Sequence, residues 1–202
     1  MGRQALPLIV DVTNLEQVSL MMTRTLEKFG RVDILVNNAA MPIGLDRVAT
    51  ADLDPDVFQR VIEVKVRGTY LCSRAVIPTL IKQGKGGKIV TVASSAGKRG
   101  AAQALAYCAA NFVQVGMTQS LAQELGKHQI NVNCICPAAV DTSRMDMYGR
   151  GDQWRKIGTN HPIGRTGTRE KVGTFIAYLC THAASWIHGQ SINIDGGMIM
   201  EH

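Results

Sequence analysis

The 202-residue sequence predicts an α/β fold, a parallel, doubly wound sheet with helices on both faces. Two observations carry this. Short apolar runs of strand character alternate with segments of helical period along the whole chain, and parallel strands need such crossovers to return to the same end of a sheet. A content of 46% apolar residues at this length is enough for a substantial core in a single domain spanning residues 1–202, and no internal repeat, low-complexity tract or linker divides it.

The elements follow in order. Thr13 with Glu16 forms a capping-box pattern, after which Leu15, Val18, Met22, Leu26 and Phe29 recur at helical spacing until Gly30. Residues 31–36 read as a buried strand. Asp54 caps and Pro55 opens a long second helix that reaches about Gln83. Residues 88–93 are the next strand, and a helix runs from Tyr107 to about Leu125, closed by Gly126. A strand at 130–136 comes next, then a helix capped by Thr168 that extends to about His182, then a last strand at 191–194.

Charge and cysteines narrow the function classes. The net charge is +6, from 22 basic and 16 acidic residues, but the basic clusters are short and scattered, unlike the clustered face that nucleic acid needs. The five cysteines show no paired metal-ligand spacing, and Cys134 and Cys136 fall on one face of a strand as buried free thiols. A reducing, cytoplasmic setting fits this usage. The sequence has neither a signal peptide nor a run of eighteen apolar residues, so no membrane partner is expected.

Ser94 and Tyr107 stand thirteen residues apart, and Ser94 ends an apolar run, Ile89 to Ala93, three residues before Gly97. With Asp11-Val12-Thr13, Asn37-Asn38-Ala39-Ala40, Asn133 through Pro137, Thr142, Gly189-Gln190 and Asp195-Gly196-Gly197 in the same order, the chain resembles the short-chain dehydrogenase/reductase family over nearly all its length. The resemblance implies a Rossmann-type fold and NAD or NADP as cofactor, with a small secondary alcohol or ketone as substrate. The family's glycine-rich pyrophosphate turn has no counterpart in the sequence, and the opening from Met1 to Asp11 matches the lead into the third strand of a relative. The chain therefore reads as lacking the family's first two strands, about 60 residues if a βα unit takes roughly 30, as in a truncated form of a longer reductase. By itself it is expected to hold dinucleotide weakly.

In the family, an Asn, Ser, Tyr, Lys set performs the reaction. By this resemblance Tyr107 gives or takes the hydroxyl proton and Ser94 polarises the substrate oxygen. The first and last members are exchanged: Lys65 stands where the family has asparagine, and Asn111, four after the tyrosine, where it has lysine. A phenol ordinarily ionises near pH 10, so a tyrosine in this role needs a nearby cation. Asn111 could keep a ribose hydrogen bond but not supply the field. Two readings are open, that Lys65 restores the charge from its own position or that the pair is a coincidence and Lys65 a solvated helix lysine.

The resemblance further places Asp11 and Val12 at the adenine, Asn37, Asn38 and Ala39 on the ribose side, Tyr107 and Asn111 at the nicotinamide ribose, and Val140 and Thr142 at the carboxamide and phosphates. Ala138 replaces the usual glycine after Pro137. Lys98 and Arg99 could meet an anionic substrate or simply be solvated, and residues 143–165 read as a substrate lid. Relatives pair through the helices at 54–83 and 107–125, which implies a homodimer or homotetramer on positions such as Val57, Val61, Val64, Leu71, Phe112, Val115 and Leu121. The rival reading is a non-catalytic binding or assembly module that keeps the fold.

Overall fold

The computed structural model describes residues 4–41, 44–147 and 149–200; residues 1–3 of the predicted lead-in and Tyr148 of the predicted lid lie outside them. Helix α1 (Leu15–Phe29) is capped by Asn14, whose side chain accepts from the Gln17 N–H, rather than by the predicted Thr13. Thr13 instead gives its N–H and its hydroxyl to the Asp11 carboxylate, the local turn that short acidic side chains favour. Gly30 closes α1 in the left-handed conformation, at φ 73°.

Strand β1 (Ile34–Asn37) begins three residues later than predicted because the Val32 backbone is satisfied elsewhere. Its N–H and carbonyl both pair with the side-chain amide of Gln83, at 3.0 and 2.6 Å. The long second helix is interrupted. Asp54 caps α2 (Pro55–Ile62), a five-residue π turn spans Glu63–Arg67, and α3 (Gly68–Gln83) follows. Apolar periodicity does not reveal such a widened turn.

Strand β2 (Gly87–Val92) leads through a short 3-10 turn to α4 (Leu105–Leu125). Gly126 is the C-cap of α4, as expected, but not in the left-handed conformation. It is right-handed, at φ −55°, and opens a 3-10 turn, so that Gln129, at φ 56°, takes the left-handed position before β3 (Ile130–Pro137). A two-residue strand, β4 (Val140–Asp141), precedes two short helices in the predicted lid, α5 (Ser143–Met147) and α6 (Gly151–Gly158). Strand β5 (Gly167–Thr168) pairs with β4, and α7 (Arg169–Leu179), capped by the Thr168 hydroxyl, ends short of His182. The last strand is β6 (Ser191–Ile194).

The main sheet has the order β1-β2-β3-β6, parallel throughout. Residues 6–11 take no part in it, so the predicted third strand does not fill the place beside β1, and Ile34 and Val36 on that edge are 45% and 39% exposed. Val10 and Val12 pack instead against Val18, Leu71 and Cys72. The largest core cluster joins α3, β2, α4 and β3 through Val76, Leu80, Ile89, Leu125 and Ile130, each worth about 1.5–3 kcal/mol of burial. Of the apolar positions expected to pair subunits, Val61 and Leu71 are core residues, Val115 and Leu121 pack against core clusters, and Phe112 is 47% exposed. Among the described residues no helix is long and apolar enough to cross a membrane.

Candidate active site

Parallel strands bring the ends of β2 and β3 to one edge of the sheet, where the Ala93 N–H donates to the Ile135 carbonyl at 2.9 Å. Ser94 follows in extended backbone and caps the 3-10 turn: its Oγ accepts from the Ala96 N–H at 3.2 Å and donates to the Pro137 carbonyl at 3.4 Å. Gly97 allows this turn to lie against α4. A Cβ on it would come within 2.7 Å of the Asn111 carbonyl oxygen.

Beside this edge is a cleft of about 650 Å³. Lys65, Tyr107, Asn38, Val140 and Thr142 all line it, over an apolar floor that includes Val92, Ala93, Pro137 and Ala138. A larger hollow, about 740 Å³, lies around Gly86, Lys88, Ile130 and Trp186 at the opposite ends of the strands. It holds none of the candidate catalytic groups, and in open parallel sheets ligands bind at the carboxyl ends of the strands, so the smaller cleft is the candidate site.

The π turn points Lys65 inward. The residue is 5% exposed and its Nζ donates to the Val92 carbonyl at 2.8 Å. Burial pulls the ammonium down to about 8, opposed by the nearby Cys136 and Cys134 sulfurs. Those two cysteines are fully buried free thiols, and the hydrogen bond between them together with burial pushes Cys136 well above the ordinary thiol range. Among the described residues no cluster of His, Cys, Asp or Glu could hold a metal.

Asn111 is fully buried and does not line the cleft. Its Nδ2 donates to the Tyr107 carbonyl one turn earlier at 2.7 Å, and its Oδ1 meets no donor among the described residues. Asn37 is also turned inward, its Nδ2 donating to Ser73 Oγ at 3.2 Å and tying β1 to α3, while Asn38 reaches the cleft and Ala39 is exposed beside it. Asp11 is exposed, with its carboxyl held below the usual range by the bonds from Thr13 and by Arg60 at 3.4 Å. Val12 packs on Gly68, where a Cβ would approach its Cγ2 to 2.6 Å. Lys98 is tied to the Ser191 carbonyl at 2.7 Å, and Arg99 is exposed.

Several groups at the site carry no sequence signal. The Arg47 guanidinium lies over the Tyr107 ring, 4.0 Å from its centroid, although Arg47 sits in an aperiodic loop. Arg47 touches the ring without lining the cleft, whereas Met145, Trp154 and Arg169 line it, and the Trp154 indole donates to the Val140 carbonyl at 2.9 Å. These three are brought in by the lid helices and the start of α7.

Comparison with known proteins matches residues 1–199 to a family model described as enoyl-(acyl carrier protein) reductase. A sorbitol dehydrogenase of Cereibacter sphaeroides is 34% identical over 97% of this chain and 79% of its own length. A galactitol 2-dehydrogenase of Agrobacterium fabrum is 32% identical, with the same shares covered. Among solved structures, levodione reductase matches with a TM-score of 0.89 at 28% identity, covering 97% of this chain and 78% of that one. An acetoin dehydrogenase from Salmonella typhimurium matches at 0.85 and 31%, covering 100% and 78%.

Proposed function

The chain belongs to the short-chain dehydrogenase/reductase family, and on that premise we propose that it interconverts a secondary alcohol and a ketone, with NAD or NADP as hydride carrier and Tyr107 as proton donor and acceptor. The observation that carries this reading is the meeting of Lys65 and Tyr107 in one cleft, with Ser94 two residues beyond the carbonyl that Lys65 holds.

The cleft suits the nicotinamide end of a dinucleotide: Asn38, Lys65 and Thr142 offer polar groups above the apolar floor. No glycine-rich turn for the pyrophosphate occurs in the sequence. When bound, the nicotinamide accepts or supplies the hydride. Tyr107 Oη passes the hydroxyl proton on the side where the substrate oxygen lies. The Ser94 hydroxyl gives up a long bond to Pro137 to donate to that oxygen, while the Ala96 N–H keeps Ser94 Oγ in place. Lys65 spends one N–H on Val92 and has two left for a ribose hydroxyl or for water. Asn111 braces the Tyr107 backbone from behind.

Reduction of NAD or NADP by small secondary alcohols, followed in wild type and in Tyr107→Phe and Ser94→Ala, tests the reading. Turnover is expected in the wild type alone, with Tyr107→Phe inactive. Equal rates in wild type and Tyr107→Phe would remove Tyr107 from the mechanism. The non-catalytic alternative finds no support in the relatives, which bear the names of dehydrogenases and reductases.

The same reading takes residues 1–202 as one domain that works in the cytoplasm as a homodimer or homotetramer. The free cysteines support a reducing compartment. Exposed Tyr70 on α3 and Leu105, Phe112 and Val113 on α4 support association through these helices. A monomeric mass by light scattering at micromolar concentration would count against it.

A further inference from the structure

We propose that Arg47 recognises a carboxylate on the substrate, so that the site takes short keto acids and hydroxy acids in preference to neutral ketones and alcohols. This rests on the oxidoreductase reading and names the substrate class within it. The loop after β1 lays the Arg47 guanidinium on the face of the Tyr107 ring, at 4.0 Å, so the cation sits beside the group that addresses the substrate hydroxyl. Stacking fixes the planar fork, and its terminal N–H groups, unlike the buried Nε, are the donors a carboxylate could reach.

Arg47 is poorly satisfied as it stands. Its Nε is buried and donates to no acceptor among the described residues, and Asp46 lies 3.7 Å from it, beyond hydrogen-bond reach. Asp46 neutralises part of the charge, yet among the described residues no carboxylate lines the cleft, where the charged residues are Lys65 and Arg169. A carboxylate entering beside Tyr107 would therefore meet the Arg47 cation and compete for it only with Asp46, which lies too far from Nε for a hydrogen bond. Lys98, which the sequence offered for this role, is committed to Ser191.

Acetoacetate and methyl acetoacetate carry the same ketone and differ in the charge of the neighbouring group, so they separate the possibilities. Binding of each to the full chain is measured by saturation-transfer NMR and calorimetry, and reduction of each is followed in parallel, in wild type, Arg47→Gln and Arg47→Lys. Wild type is expected to favour acetoacetate by about tenfold, as for one hydrogen-bonded charge contact. Arg47→Gln should lose that preference while still binding the ester, which shows that the fold is intact, and Arg47→Lys should keep part of it. An equal preference in wild type and Arg47→Gln, or no binding of acetoacetate, overturns the inference. Turnover of both compounds without preference overturns it and leaves the oxidoreductase reading standing. Arg47-dependent binding of acetoacetate with no turnover of either compound supports the recognition and overturns that reading.

Discussion

The side-chain amide of Gln114 on α4 donates to the backbone carbonyl of Lys65 in the π turn between α2 and α3. Its Nε2 also reaches Thr69 Oγ1 at 3.2 Å, and Gln114 is 1% exposed. Lys65 is thus held at both ends, its carbonyl by Gln114 and its ammonium by the Val92 carbonyl. A widened turn redirects carbonyls away from the regular helical ladder, and a buried carbonyl then needs a donor from elsewhere.

Gln114→Met keeps the shape of the side chain but removes this donor. The expected loss is about 1–3 kcal/mol of stability, the cost of leaving a buried carbonyl unpaired, seen as a lower urea midpoint with an unchanged slope. An unchanged midpoint would mean that the Lys65 carbonyl finds another partner.

The packing at Gly97 makes a second prediction. A methyl there meets the backbone of Asn111, which cannot swing aside as a side-chain tip could, so Gly97→Ala should cost about 1–3 kcal/mol. Gly116, exposed in the middle of α4, has nothing within 4 Å of an added Cβ, and Gly116→Ala should gain about 0.5–1 kcal/mol from helix propensity alone. Thermal melts of the two variants should move in opposite directions. A shift of the same sign in both would show that the turn does not press on α4 as described.

The alternation of strand and helix, the Asp54 and Thr168 caps and the extent of β6 were legible because each depends on residues close in sequence. Cap choice at α1 was not, since Asn14 and Thr13 have similar chemistry and the outcome turns on Asp11 claiming Thr13. The start of β1 depends on Gln83, 51 positions from Val32, and no local pattern encodes that bond. Motif spacing singled out Tyr107 and Lys65, which line the cleft, and Ser94, which does not, whereas Arg47 reaches Tyr107 through a loop whose path only tertiary packing sets.

The buried ammonium of Lys65 predicts a pH dependence of stability. Its folded value is about 8, against 10.5 for an ordinary lysine, so between those values the unfolded chain binds the extra proton and stability rises with pH. Below about 8 both states are protonated, and the buried charge costs roughly 3 kcal/mol relative to the high-pH limit. Lys65→Met lacks this cost. Its stability advantage over wild type should be largest below pH 8 and shrink toward pH 10.5, as read by urea unfolding of both proteins across that range. A constant difference would show that Lys65 keeps its charge hydrated.

The exchange of Lys65 and Asn111 is tested by a double-mutant cycle on turnover. If Lys65 supplies the cation that Asn111 cannot, Lys65→Asn should lose about a hundredfold, the rate equivalent of two pH units of ionisation. Asn111→Lys alone brings a second ammonium into a fully buried position on α4, where the Asn111 amide now holds the Tyr107 carbonyl, so it should recover little or lose activity. The double change restores the order of the family's set and removes the conflict between two cations. It should exceed the product of the single effects by a coupling of at least about 1 kcal/mol, as expected for positions that share one network. If the single effects simply multiply, or if Lys65→Asn leaves the rate and its pH profile unchanged, the ammonium on Val92 is a structural tie and Tyr107 draws its field from another group.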